Sequence, residues 1–150
     1  MDIQLNEAEQ KLARYLAKNR YEQARKLGVE NKKMGPQSNE MTDLQGIGAE
    51  IAFCKMHNIY PDMNVGSTPL EDATLRDGTT VDVKSTVYKN GRLIVAMWKN
   101  PAIDCYALMV GTFPNYRYAG MMSSKEMMQE SRILDLGHGP VYAASQGDLK

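Results

Sequence analysis

The stretch EDATLRDGTTVDVKSTV, residues 71–87, decides how this chain is read. Asp77-Gly78 is a hairpin-type turn, and the run after it alternates in the period of a strand. Alternation sends Val81, Val83, Ser85 and Val87 to one face and Asp82, Lys84 and Thr86 to the other. The length of the turn then decides which acid of the preceding strand joins Asp82. A two-residue loop pairs Arg76 with Thr79 and sets Glu71 opposite Lys84. A three-residue loop, Arg76-Asp77-Gly78 with glycine in the left-handed position, pairs Leu75 with Thr79 and sets Asp72 opposite Asp82. The three-residue loop suits the pattern better, because Ala73, Leu75, Val81 and Val83 then supply apolar neighbours. Asp72 is the expected partner and Glu71 the fallback. Facing carboxylates repel unless a cation or a proton sits between them.

Outward from the hairpin, further strands are expected at 92–98, 104–111 and 116–121, besides those at 70–76 and 79–87. Asn90-Gly91 reads as a second hairpin turn. Upstream, residues 6–27 read as a helix with an Asn6/Glu9 capping pair and an apolar stripe of Leu5, Ala8, Leu12, Tyr15 and Leu16. Gly28 ends it, and 30–41 is a polar loop. A second helix is expected over Leu44–His57. Gly46 and Gly48 cost it roughly 1 kcal/mol each, which points to close backbone packing or a later first turn. Ser123 and Glu126 open a short helix, and the tail holds one short strand around Val141. This order fits an α/β or α+β sandwich, with helices covering a mixed sheet.

A chain of 150 residues, 43% hydrophobic and 24% charged, is expected to fold as one domain. No apolar run approaches the roughly 18 residues of a membrane span. The first ten residues do not have the form of a signal peptide, so the default location is the cytoplasm. Cys54 and Cys105 lack metal-site spacing and read as buried free thiols. Net charge is zero but uneven: 11–33 is basic, 34–83 acidic, and Lys84, Lys89, Arg92 and Lys99 follow with no acid among them. An acidic middle between basic flanks suits a cation site bordered by polyanion surfaces. Solvated faces explain the same charges more simply.

Glu50 on a helix, Asp72 on the hairpin, and Asp82-Val83-Lys84 across its turn together resemble the PD-(D/E)xK nuclease superfamily. The flanking GIGAE and DVKST look like its small phage or mobile-element members. The resemblance covers roughly 44–111, and Glu71 stands where the family usually has proline. It implies a restriction-endonuclease-like core at 44–121, an N-terminal helical extension at 1–43, and a C-terminal helix and tail at 122–150. It further implies Mg²⁺- or Mn²⁺-dependent hydrolysis of DNA. Asp72 and Asp82 would be metal ligands, with the Val83 carbonyl as a third and Glu50 completing the shell. Lys84 would hold the attacking water or stabilise transition-state charge. Thr86, Lys89, Arg92 and Lys99 would contact nucleic acid. A homodimer would let a one-site domain cut both strands. A nuclease-like module that binds nucleic acid or a partner protein without cutting is the alternative, and an RNA-directed nuclease a third reading. His57 and His138 have no partner spacing, and Tyr106, Tyr116 and Tyr118 read as core.

Overall fold

A computed structural model describes residues 1–26, 39–65, 71–97 and 102–150. In chain order the elements are β1 (Asp2–Gln4), α1 (Glu7–Lys26), α2 (Asn39–His57), β2 (Ala73–Thr74), β3 (Thr80–Thr86) and β4 (Leu93–Ala96). Then come β5 (Cys105–Thr112), β6 (Asn115–Ser123), α3 (Ser124–Met127), β7 (Ile133–Asp135) and β8 (Pro140–Ala144). The strands form a mixed five-stranded sheet, β1-β6-β5-β3-β2, and an antiparallel three-stranded sheet, β4-β8-β7. Among the described residues only β3 and β5 run parallel. The class is mixed α+β.

Alternation along β5 explains the layering. Ala107 and Met109 enter a core with residues of α1 and α2. Tyr106, Leu108 and Val110 enter a second core with Leu93 and Val95 of β4, Ala144 of β8 and Met127 of α3. The large sheet is therefore covered by helices on one face and by the small sheet on the other. Among the described residues no helix is long and apolar enough to cross a membrane.

The Asn6/Glu9 pair forms as a reciprocal cap: Asn6 N–H donates to Glu9 Oε1 at 2.7 Å, and Glu9 N–H donates to Asn6 Oδ1 at 2.9 Å. Lys55 Nζ reaches the same Glu9 oxygen at 2.8 Å and ties α2 to the cap. The buried stripe of α1 is Ala13, Leu16 and Ala17, while Ala8 and Tyr15, expected on it, are exposed. Leu5 and Leu16 of the expected stripe are buried and Leu12 packs against them, so α1 enters the same core as α2.

Helix α2 begins at Asn39, five residues before the expected start. Gly46 has open space around it, but a Cβ on Gly48 would lie 2.3 Å from the Tyr116 hydroxyl. Close packing is thus the reason for the second glycine only. One turn earlier, buried Gln45 clamps the β5–β6 turn. Its Nε2 donates to the Gly111 carbonyl at 2.7 Å, its Oε1 accepts from Phe113 N–H at 2.9 Å, and its own carbonyl accepts from Tyr116 Oη at 2.9 Å.

Asn90-Gly91 is a turn but not a hairpin: Gly91 N–H donates to the Tyr88 carbonyl, and β4 then joins the other sheet. The cause is topological. The next strand of the large sheet, β5, is parallel to β3, so the chain must cross over rather than fold straight back. The tail supplies both β7 and β8, one strand more than expected. Cys54 is buried and Cys105 half-buried, both as free thiols. Tyr106 and Tyr116 are core, and Tyr118 packs against it.

Candidate active site

The β2–β3 hairpin closes with the three-residue loop. Leu75 N–H donates to the Thr79 carbonyl at 2.8 Å, and Ala73 pairs with Val81. Gly78 takes a φ of +92°, a conformation glycine adopts without strain. Beyond Ala73 the ladder departs from the expected alignment. Asp72 N–H also donates to the Val81 carbonyl, at 2.9 Å, so two residues stand opposite one. This is the signature of a β-bulge. Asp72 is thereby released from a plain cross-strand position, and its Oδ2 accepts from Val83 N–H at 2.7 Å along the edge of β3.

The bulge brings together acids that belong to opposite faces. Val81 and Val83 enter the helix-side core. Asp82 and Lys84 lie in register with Tyr106 and Leu108, on the side of the second sheet. Glu50 approaches from α2. At the β3 edge the Asp72 carboxyl shares hydrogen bonds with Glu50 and with Asp82. The face carrying Asp82 is not wet: the Asp82 side chain is 5% exposed and pairs with Lys84 Nζ at 3.1 Å. On the other flank Arg20 of α1 lies 3.5 Å from Glu50 Oε2 and 3.7 Å from Asp62 Oδ2.

Burial and crowding of like charges make this cluster hold protons. Desolvation, then the Glu50 and Asp82 charges, push the Asp72 carboxyl up to about 9. Desolvation raises Glu50 to about 7 against the opposing pull of Arg20. Cys54, one turn after Glu50, is pushed up to about 12 by burial and the same acids, and so stays a thiol.

The chemistry of these donors fits a hard divalent cation: adjacent carboxylate oxygens whose repulsion such an ion would relieve. Their arrangement is not a ready-made shell. Among the described residues no three His, Cys, Asp or Glu side chains are grouped to hold a metal ion. Glu50, Asp72 and Asp82 instead bond to one another and to their basic neighbours, so an ion would have to replace these acid–acid contacts.

The other expected residues divide. Val83, whose carbonyl is the expected ligand, meets the cluster through its N–H, which donates to Asp72. Thr86 continues the Asp82–Lys84 face, but its Oγ1 accepts from Tyr88 N–H at 3.2 Å and packs under Gly91, which makes it part of the turn. Lys89 and Arg92 are exposed. The Lys89 carbonyl is held by Gln146 and Arg117. Lys99 lies outside the described residues. Glu71 is half-buried and Asp72 occupies the site in its place. His57 stacks on Phe53 with ring centroids 4.4 Å apart, and His138 is exposed. A separate pocket of about 270 Å³, lined by His57, Ile59, Leu75, Arg76 and Asp77, includes none of the clustered acids.

Two members of the cluster, Arg20 and Asp62, escape a reading by charge alone. Arg20 had a signal: it follows Ala13, Leu16 and Ala17 at helical spacing, on the stripe that α1 buries. Asp62 has a weaker one, a side chain that accepts from Asn64 N–H in the PDMN turn.

No curated protein and no solved structure matches the chain. Residues 3–130, which take in α1, both arms of the hairpin and every member of the acidic cluster, match the model of the family of unknown function DUF5843, and the chain belongs to that family.

Proposed function

We propose that this chain is a metal-dependent endonuclease of the PD-(D/E)xK type, with a restriction-endonuclease-like core, that hydrolyses DNA phosphodiester bonds. One observation carries the reading: Glu50 from a helix, Asp72 from a bulge and Asp82 from the adjoining strand meet at one sheet edge, with Lys84 against Asp82. Facing acids beside a lysine are what the resemblance of the hairpin implies. When bound, Mg²⁺ or Mn²⁺ supplies Lewis-acid polarisation of the phosphate and a water of lowered pKa. Asp72 and Asp82 are the residues to hold it, with Glu50 completing the set.

The chain's own residues account for the rest of the chemistry. Asp82 lies 3.1 Å from Lys84 Nζ, so the amine enters the reaction oriented. From there Lys84 donates hydrogen bonds to the attacking water or to the phosphate oxygens as they gain charge. Asp72 is anchored by Val83 N–H, which limits its freedom to turn away. A pair of chains would place two such sites on the two strands of a duplex.

Supercoiled and branched DNA incubated with folded protein and Mg²⁺ or Mn²⁺ tests the reading. Cleavage is expected, and Asp82→Ala and Lys84→Ala should each lower it by at least about 100-fold. Absence of cleavage for every DNA form counts against an enzyme. The second reading, a nuclease-like module that binds without cutting, draws support from the lack of a formed three-ligand shell among the described residues. It predicts no divalent-ion binding that Asp82→Ala abolishes.

A further inference from the structure

The outward face of α1 changes character along its length. At its start the charges are balanced: Lys11 Nζ lies 3.3 Å from Glu7 Oε1, and Glu9 is held by Lys55. From Arg14 onward the exposed side chains are Arg14, Tyr15, Lys18, Glu22, Arg25 and Lys26, four bases against one acid. At about 100° per residue these six fall within roughly one third of the helix circumference. That stripe lies opposite the buried Ala13, Leu16 and Ala17. From Arg14 to Arg25 it runs about 16 Å.

A face that only meets water is better stabilised by opposite charges four residues apart, as Glu7 and Lys11 show. Arg14 and Lys18 are like charges at that spacing, and they repel. Among the described residues none of the four bases has an acidic partner. The two arginines are held in place without using their N–H groups. The Arg14 guanidinium carbon lies 5.1 Å from the centroid of the Phe113 ring, and that of Arg25 lies 4.9 Å from the Tyr21 ring. Attraction to a ring face fixes the charge and leaves the donors for another partner. Tyr15, 59% exposed, sets an aromatic ring within the stripe, one turn from Lys11 and from Lys18.

These features select among polyanions. An anionic membrane takes up a helix by its apolar face, and α1 buries that face in the core. A nucleic-acid strand offers phosphates in series for the bases of the stripe, and unpaired bases stack on exposed rings. We propose that the outward face of α1 binds a nucleic-acid strand with unpaired bases, its phosphates on Arg14, Lys18, Arg25 and Lys26 and a base on Tyr15. This goes beyond the nuclease reading and does not depend on it, because none of these residues belongs to the acidic cluster or to the contacts expected at Lys89 and Arg92.

Fluorescence anisotropy of a labelled oligo(dT) strand of roughly 20 nucleotides, longer than a small single-strand site, tests this in a chelator over a range of KCl concentrations. Four phosphate contacts give log affinity against log salt a slope of about −2.8. Lys18→Gln/Lys26→Gln removes two charges that make no hydrogen bond or ion pair within the chain, and is expected to halve the slope to about −1.4. Tyr15→Ala is expected to lower affinity at least about 5-fold with the slope kept. Circular dichroism checks the fold of each variant. No binding by folded wild type overturns the proposal, as does a wild-type slope in Lys18→Gln/Lys26→Gln. Wild-type affinity in Tyr15→Ala, or binding to phosphatidylserine vesicles in place of the oligonucleotide, does the same. With divalent ions removed, each of these outcomes leaves the cleavage reading to its own assay. Binding as expected, without cleavage of any DNA form once Mg²⁺ or Mn²⁺ is restored, sinks the nuclease reading alone.

Discussion

The two faces of the β3–β5 pair belong to the same backbone and differ in what they are for. Toward the helices, Val81, Val83, Ala107 and Met109 are all apolar and buried. Toward the second sheet, β5 offers Tyr106, Leu108 and Val110, while β3 offers Asp82, Lys84 and Thr86 in register with them. One face is closed by hydrophobic contact along its whole width. The other is closed by it only over β5, and charge begins one strand later. Burying Asp82 costs free energy that its pairing with Lys84 offsets, so the second face balances charge where the first accumulates apolar contact. Asp82 and Lys84 sit where packing is complete enough to bury a carboxylate but not so complete that it excludes charge.

The sharpest way to break the contrast is from the apolar side. Met109→Ala, at a fully buried position, should lower unfolding free energy by about 2–5 kcal/mol, read from urea denaturation. Cleavage per folded molecule should stay near wild type. A smaller loss is expected from Gly48→Ala, about 1–3 kcal/mol of overpacking against Tyr116 and Phe113, seen as a lower melting temperature.

The polar face is sharpened by pH. Asp72 and Glu50 bind protons more tightly folded than unfolded, because their folded values lie above the ordinary 3.8 and 4.5. Between about 4 and about 9 the unfolded chain therefore holds fewer protons, and the stability of the metal-free protein falls as pH rises. Asp72→Asn, which keeps an acceptor for Val83 N–H, should flatten that slope. Urea midpoints across this range in a chelator measure it. An unchanged slope in the variant would show that the crowding lies elsewhere.

Much of the hairpin is legible in the residues: Asp77-Gly78 with a leucine before it and alternation after it suffices for the loop and the pairing of Ala73 with Val81. Both helix caps, Asn6/Glu9 and Ser123/Glu126, are equally plain, since a cap is a local bond between residues three apart. The bulge at Asp72 is not legible, because it depends on the Asp72 N–H reaching the carbonyl of Val81, the residue with which Ala73 pairs. Asn90-Gly91 has the composition of a hairpin turn, and only the parallel placement of β5 gives it another task. Arg20 was hidden by its charge: a basic residue on a basic helix reads as solvated, unless its place on the buried stripe is weighed first. The two short strands β1 and β7 have three residues each, too few to carry a period.

The clamp at Gln45 has a consequence for a residue it never touches. By gripping the β5–β6 turn through three hydrogen bonds, it sets the phase of α2 against the sheet. Glu50 lies five residues further along, about 7.5 Å down the axis, and a slip of one residue would swing it by about 100°. An uncharged amide in the first half of α2 thus acts as the indexing pin for a carboxylate at the β3 edge.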